Sequence, residues 1–268
     1  MSEYFGGDEE EEIERQRDPV LDRAIARLTA FFNAEPERLF YSTQIQTFFE
    51  REFFHWITGR GLLELTESTS IQRRITHIAG NPVNFYAHKS HRYIERQHSE
   101  MVNLRQRVYD PEFSQAIGRH GELMFDAALG RAGFRAEARD TNSWAGKIWT
   151  ASNHNLDRVY TRDGLAYGAE IKNTQNYISR TELRTKISLA KHLGITPLFI
   201  MRFAPKSYIH EVIQGGGFVL LFEEQMYPWG HAPLLQDVRK TLGLKVSSPR
   251  DVRVGDIQRF EKWHLKRV

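Results

Sequence analysis

A chain of 268 residues, 40% hydrophobic and 26% charged, is long enough for one large domain or two modest ones and apolar enough to build a core. It has no cysteine, which excludes disulfides and thiolate metal sites, and no apolar run near the roughly 20 residues that span a bilayer, so an intracellular, cytoplasmic protein without a membrane partner is expected. The net charge of +3 is uneven: residues 1–17 hold seven acids against two arginines, which leaves +8 on the rest, a balance suited to a polyanionic partner.

The acidic head, which includes "DEEEE", is expected to be a solvated, disordered tail. "DPVLDRAIARLTAFFNAEP" predicts a helix, with Asp18 as N-cap and Pro19 in the first turn. A second helix starts at Ser42 in "YSTQIQTFFERE", and a third, "FFHWITGRG", is closed by Gly59 and Gly61. "LLELTE", "IQRRITHI" and "VNFYAH" read as strands, the last two around a turn at "AGNP". Three short helices and a hairpin follow the order of a winged helix-turn-helix. With the helix "HRYIERQHSEMVNLRQRV" they make residues 18–108 a mostly helical, winged-helix-like region. The aromatics of "TFFEREFFHW" are expected in the core. His88, His91 and His98, interleaved with arginines and without cysteines, suit a basic face better than zinc. Window 71–107 carries seven Lys/Arg against two Glu, and Arg73, Arg74, Lys89 and Arg92 are its candidates for DNA phosphate contacts.

Residues 109–268 alternate differently. "PEFSQAIGRHGELMFDAALGRAG" predicts a helix, "FRAEARD" a strand, and "HNLDRVYT" and "LAYGAEIKN" two more. "SRTELRTKISLAKHLG" is a helix capped by Ser179 and closed by Gly194, and "TPLFIMRF" a further strand. This α-β-β-β-α-β order predicts an α/β (α+β overall) fold, a mixed sheet flanked by helices. A turn at "QGGG", a strand "GFVLLF" and a basic end with nine Lys/Arg against four acids over 237–268 complete the chain.

Asp157 lies in "NLDRVY", and twelve residues separate it from Glu170 in "YGAEIKN", a spacing that suits two strands joined by a turn at "TRDG". Neighbouring antiparallel strands can bring the two carboxylates within a few ångströms, where they repel unless a divalent cation lies between them. Glu170 and Lys172 share one strand face with Gly168, while Tyr167, Ala169 and Ile171 share the other. Glu122 falls at the edge of an apolar helix face, within reach of a cleft, and Gly118 and Gly121 allow that helix a close approach.

In "GRHGELMF", "NLDRVY" and "AEIKNT", and in the helix and strand "ELRTKISLAKHLGITPLFIMR" that follow, the chain resembles the PD-(D/E)xK nuclease superfamily, which has a restriction-endonuclease-like core. The last segment is similar to its counterpart in archaeal Holliday-junction resolvases and methyl-directed restriction nucleases. The resemblance covers about 112–205 and implies a metal-dependent DNA endonuclease. Asp157, Glu170 and the Ile171 carbonyl would hold Mg²⁺, for which Mn²⁺ can substitute, and Lys172 would position water and stabilise transition-state charge. Glu122 would support a second metal or a metal-bound water. DNA is the expected partner, and a homodimer is compatible. Two other readings stay open: a non-catalytic DNA-binding protein on a degenerate nuclease fold, and a structure-specific or RNA-directed nuclease.

Overall fold

Helix α1 (Pro19–Ala34) begins where the sequence places it. The Asp18 carboxylate accepts the Val20 N–H at 2.9 Å, and Pro19 takes a position that needs no N–H partner. The computed structural model describes residues 18–68 and 70–268, so the expected tail at 1–17 lies outside the described residues. Strand β1 (Phe40–Tyr41), helices α2 (Ser42–Phe49) and α3 (His55–Ser68), and strands β2 (Ile71–Ile78) and β3 (Asn81–His88) follow. The three strands form an antiparallel sheet in the order β1-β3-β2.

Two expectations are corrected here. "LLELTE" lies within α3 and is not a strand, and Gly59 and Gly61 sit inside that helix instead of closing it. Packing explains both. Leu62 and Leu65 are buried in one cluster with Leu21, Ala24 and Leu28 of α1, and a Cβ on Gly61 would stand 3.0 Å from Leu28, so the glycine lets the two helices touch. Phe48, Phe49 and Phe53 of the aromatic run also pack in or against this cluster.

Helices α4 (Ile94–Val108) and α5 (Pro111–Arg131) lead into strand β4 (Arg135–Thr141), a small hairpin of β5 (Ser143–Trp144) and β6 (Lys147–Ile148), and strands β7 (Leu156–Arg162) and β8 (Leu165–Lys172). Then come helix α6 (Arg180–Leu193), strand β9 (Thr196–Met201), helix α7 (Lys206–Gln214) and strand β10 (Phe218–Leu221). The sheet order is β10-β9-β8-β7-β4; β4, β7 and β8 run antiparallel, and β8, β9 and β10 parallel. The molecule is therefore mixed α/β.

Helix α5 covers one face, with Met124, Phe125 and Leu129 against Tyr160, Tyr167 and Ala169. Helix α6 covers the other, with Leu189, Ala190 and Leu193 against Val159. Its ends are those expected: Ser179 accepts the Glu182 N–H at 3.1 Å, and Gly194 adopts a left-handed φ of 75°.

The chain ends with β11 (Gln225–Met226), α8 (Ala232–Asp237), β12 (Val246–Ser247) and α9 (Val254–His264). Helix α9 joins the α5 face through Ile257 and Phe260. Residues 227–246 pack elsewhere: Tyr227, Leu234, Val238, Leu242 and Val246 share a core with Tyr41, Val83, Phe85, Met101 and Leu104. The expected boundary after residue 108 thus does not separate two cores. No helix among the described residues is long and apolar enough to cross a membrane.

Candidate active site

Strands β7 and β8 are joined by Asp163 and Gly164, both at positive φ (51° and 76°), the pair of left-handed residues that a tight two-residue turn requires. That turn sets the register. The last ladder pair is Arg158 with Ala169, so Asp157 stands opposite Glu170 one step further on. Asp157 ties this end together by accepting the Ile171 N–H through Oδ2 at 2.6 Å. A strand residue directs its N–H and C=O to the same edge, so the Ile171 carbonyl also faces this side.

Glu170 is 1% exposed. Lys172 Nζ lies 2.7 Å from its Oε1 and Lys186 Nζ 2.5 Å from its Oε2, and neither contact completes a well-directed hydrogen bond. Lys172 also reaches Glu182 Oε1 at 3.0 Å, and Lys186 donates to the Asn155 carbonyl. Burial and then Glu170 push the Asp157 carboxyl up to about 6, against the pull of the Ile171 N–H and the two ammonium groups. Burial works to lower the Lys172 pKa, but Glu170 and Glu182 outweigh it and hold this ammonium above the usual lysine value.

This donor set fits Mg²⁺. Two carboxylates and a carbonyl at one strand end are hard oxygen ligands, and the Glu170 oxygens keep lone pairs that no well-directed hydrogen bond uses. Mg²⁺ is commonly held by one or two carboxylates, with water and phosphate completing its shell. Among the described residues no three His, Asp or Glu side chains gather at metal-binding spacing, so the side-chain contribution is the pair.

Glu122 is not brought to that pair. Arg158 Nη2 holds it at 2.7 Å, and the same guanidinium binds Asp126, on the α5 face of β7 opposite to Asp157. Among the described residues Glu122 is linked to the site through Arg158, whose Nη1 donates to the Asp157 carbonyl at 2.6 Å. Gly121 earns its position, since a Cβ there would lie 2.7 Å from Asn173 Cβ, directly after Lys172; Gly118 faces open space.

Glu182 and Lys186 were missed by the reading of the sequence. The signal was present: Lys186 falls on the apolar stripe of α6 with Leu183 and Ala190, and Glu182 stands four residues before it. A cleft of about 390 Å³ opens beside Lys172 and Glu182, with Tyr109, Thr174, Asn176 and Tyr177 among its walls. A larger crevice of about 570 Å³ lies away from the carboxylate pair, and its glutamates are already ion-paired: Glu50 with Arg202, Glu52 with Arg27, and Glu223 with Arg51.

The four basic candidates of residues 71–107 are spread over two faces. Arg73 is exposed on β2 beside Ile75 and His77, whereas Arg74 points to the opposite side, where Glu95 receives both of its terminal nitrogens at 2.8 and 2.5 Å. Lys89 and Arg92 are exposed in the β3–α4 connection. His91 is buried, and His98 packs on Phe85. No family model, no curated protein and no solved structure matches this chain.

Proposed function

We propose that the chain is a metal-dependent nuclease that hydrolyses phosphodiester bonds in DNA. The observation that carries this reading is the opposition of Asp157 and Glu170 across β7 and β8, with Lys172 on the same face and a cleft alongside. Bound Mg²⁺ would polarise a phosphate oxygen and make water a better nucleophile at neutral pH. Asp157, Glu170 and the Ile171 carbonyl would hold it. Lys172, kept cationic by Glu170 and Glu182, would place its ammonium against the charge that grows on the phosphate oxygens. Arg158 would fix the Asp157 backbone from behind through its carbonyl.

The sheet order β10-β9-β8-β7-β4, with α5 and α6 on opposite faces, supports a restriction-endonuclease-like core. The order α1-β1-α2-α3-β2-β3 with sheet β1-β3-β2 supports a winged-helix reader of duplex DNA.

Incubation of the full chain with linear, methylated and branched DNA tests the activity and its substrate together. Cleavage should require Mg²⁺ or Mn²⁺ and stop with chelator. Asp157→Ala and Glu170→Ala should abolish cleavage and weaken metal binding; Lys172→Ala should abolish cleavage without weakening metal binding, because an ammonium is not a ligand. Full cleavage in chelator, or parental cleavage by Lys172→Ala, would overturn the assignment.

A further inference from the structure

Lys186 is a buried lysine that the proposed chemistry does not use. Its side chain descends from α6 on the apolar stripe and ends between Glu170 Oε2, at 2.5 Å, and the Asn155 carbonyl. A buried ammonium is costly unless paired, and this one is paired with a carboxylate that Lys172 already serves through its other oxygen. Glu170 is therefore flanked by two cations. Lys172 also contacts a second carboxylate, Glu182, whereas the other direct contact of Lys186 among the described residues is the neutral Asn155 carbonyl, and Asp157 acts on it from further off.

We propose that Lys186 makes cation loading of the Asp157–Glu170 pair conditional on the phosphodiester, so that the free protein holds Mg²⁺ weakly and the nucleic-acid complex holds it tightly. This rests on reading the pair as metal ligands. Asp157, Glu170 and Glu182 set three negative charges against the two positive charges of Lys172 and Lys186, which leaves −1. A dication turns that into +1, with Lys186 competing for a ligand oxygen, and in a partly buried site such an excess is poorly screened. One phosphodiester brings the total to zero. Each ligand thus favours the other, and the coupling must be reciprocal. Without Lys186 the group would stand at −2, and the dication alone would neutralise it.

The sign of the expected effect separates this role from simple packing. Removing a cation from the site should tighten metal binding to the free protein, whereas a lysine that merely shapes the site should weaken binding when it is lost. Ca²⁺, an oxygen-seeking dication, serves as the probe in calorimetric titrations of the full chain, alone and saturated with a short DNA duplex. In the parent, duplex should tighten Ca²⁺ binding by at least about tenfold. Lys186→Met should bind Ca²⁺ about fivefold or more tightly without DNA, and duplex should then change its affinity by less than about twofold. Lys186→Arg, which keeps the charge, should keep the coupling.

Weaker Ca²⁺ binding by a folded Lys186→Met variant, or coupling that survives in it, overturns the proposal. So does a parent whose Ca²⁺ affinity ignores DNA, a measurement that needs no variant. Asp157→Asn identifies the other failure: if it binds Ca²⁺ like the parent, the pair is not the metal site, and the nuclease reading falls with it.

Discussion

A carboxylate directly opposite another across a strand pair, with little water around it, keeps its proton to higher pH than it would in an extended chain. Asp157 is that group, raised from 3.8 to about 6 by burial and by Glu170. Because the folded value lies above the unfolded one, the contribution is most favourable at acid pH and is lost as pH rises from about 4 to about 6, by up to about 3 kcal/mol. Urea unfolding in chelator should show this loss in the parent but not in Asp157→Asn, and Ca²⁺ should restore stability at neutral pH. Identical pH profiles for the two proteins would contradict the burial described here. Asp157, Glu170 and Lys172 could be picked out from strand alternation and the length of the intervening turn. Lys186 carries a fainter signal, because a lysine on an amphipathic helix ordinarily lies along its solvent face, and only its place in the apolar stripe distinguishes it.

Within single elements, alternation decides which side chains can act together. Arg73 and Arg74 are neighbours in sequence but lie on opposite faces of β2, so one phosphate backbone cannot engage both in the same way. If Arg73 contacts a phosphate, Arg73→Ala should reduce the log–log salt slope of DNA binding by about 0.9. Arg74→Ala should change it less, because Glu95 already compensates that guanidinium. Equal effects, or none from Arg73, would count against the β2 face as the DNA surface. Helices with explicit end signals, Asp18–Pro19 for α1 and Ser179 with Gly194 for α6, were readable in advance. The second half of α3 was not. Six residues with three leucines do not distinguish a strand from a helix turn, and two glycines looked like an ending when one of them is a helix–helix contact.

Across the whole molecule, the segment after Lys172 is clamped by the N-terminal elements. Arg202 donates to the Thr174 and Gln175 carbonyls and forms a two-pronged pair with Glu50 at 2.6 Å, and Tyr177 OH meets His55. Glu50→Ala would leave the Arg202 guanidinium buried without its counterion and should cost about 3–5 kcal/mol in denaturant unfolding. Arg202→Met combined with Glu50→Ala should recover part of that loss. A cost below about 1 kcal/mol would mean that the pair is solvated.

The order of α5, β4, β7, β8, α6 and β9 was visible in the sequence, but this docking was not, because no local pattern announces which distant residue will meet a buried arginine. The same holds for the core that residues 227–246 share with the β2–β3 hairpin and α4. A ribosome adding about 5–20 residues per second needs roughly 7–28 s to pass from residue 108 to residue 246. Throughout that interval Val83, Phe85, Met101 and Leu104 have been synthesised but their C-terminal partners have not. For that interval the nascent chain carries an uncovered apolar face, the kind of transiently exposed surface that makes folding intermediates prone to aggregate and that chaperones serve to cover.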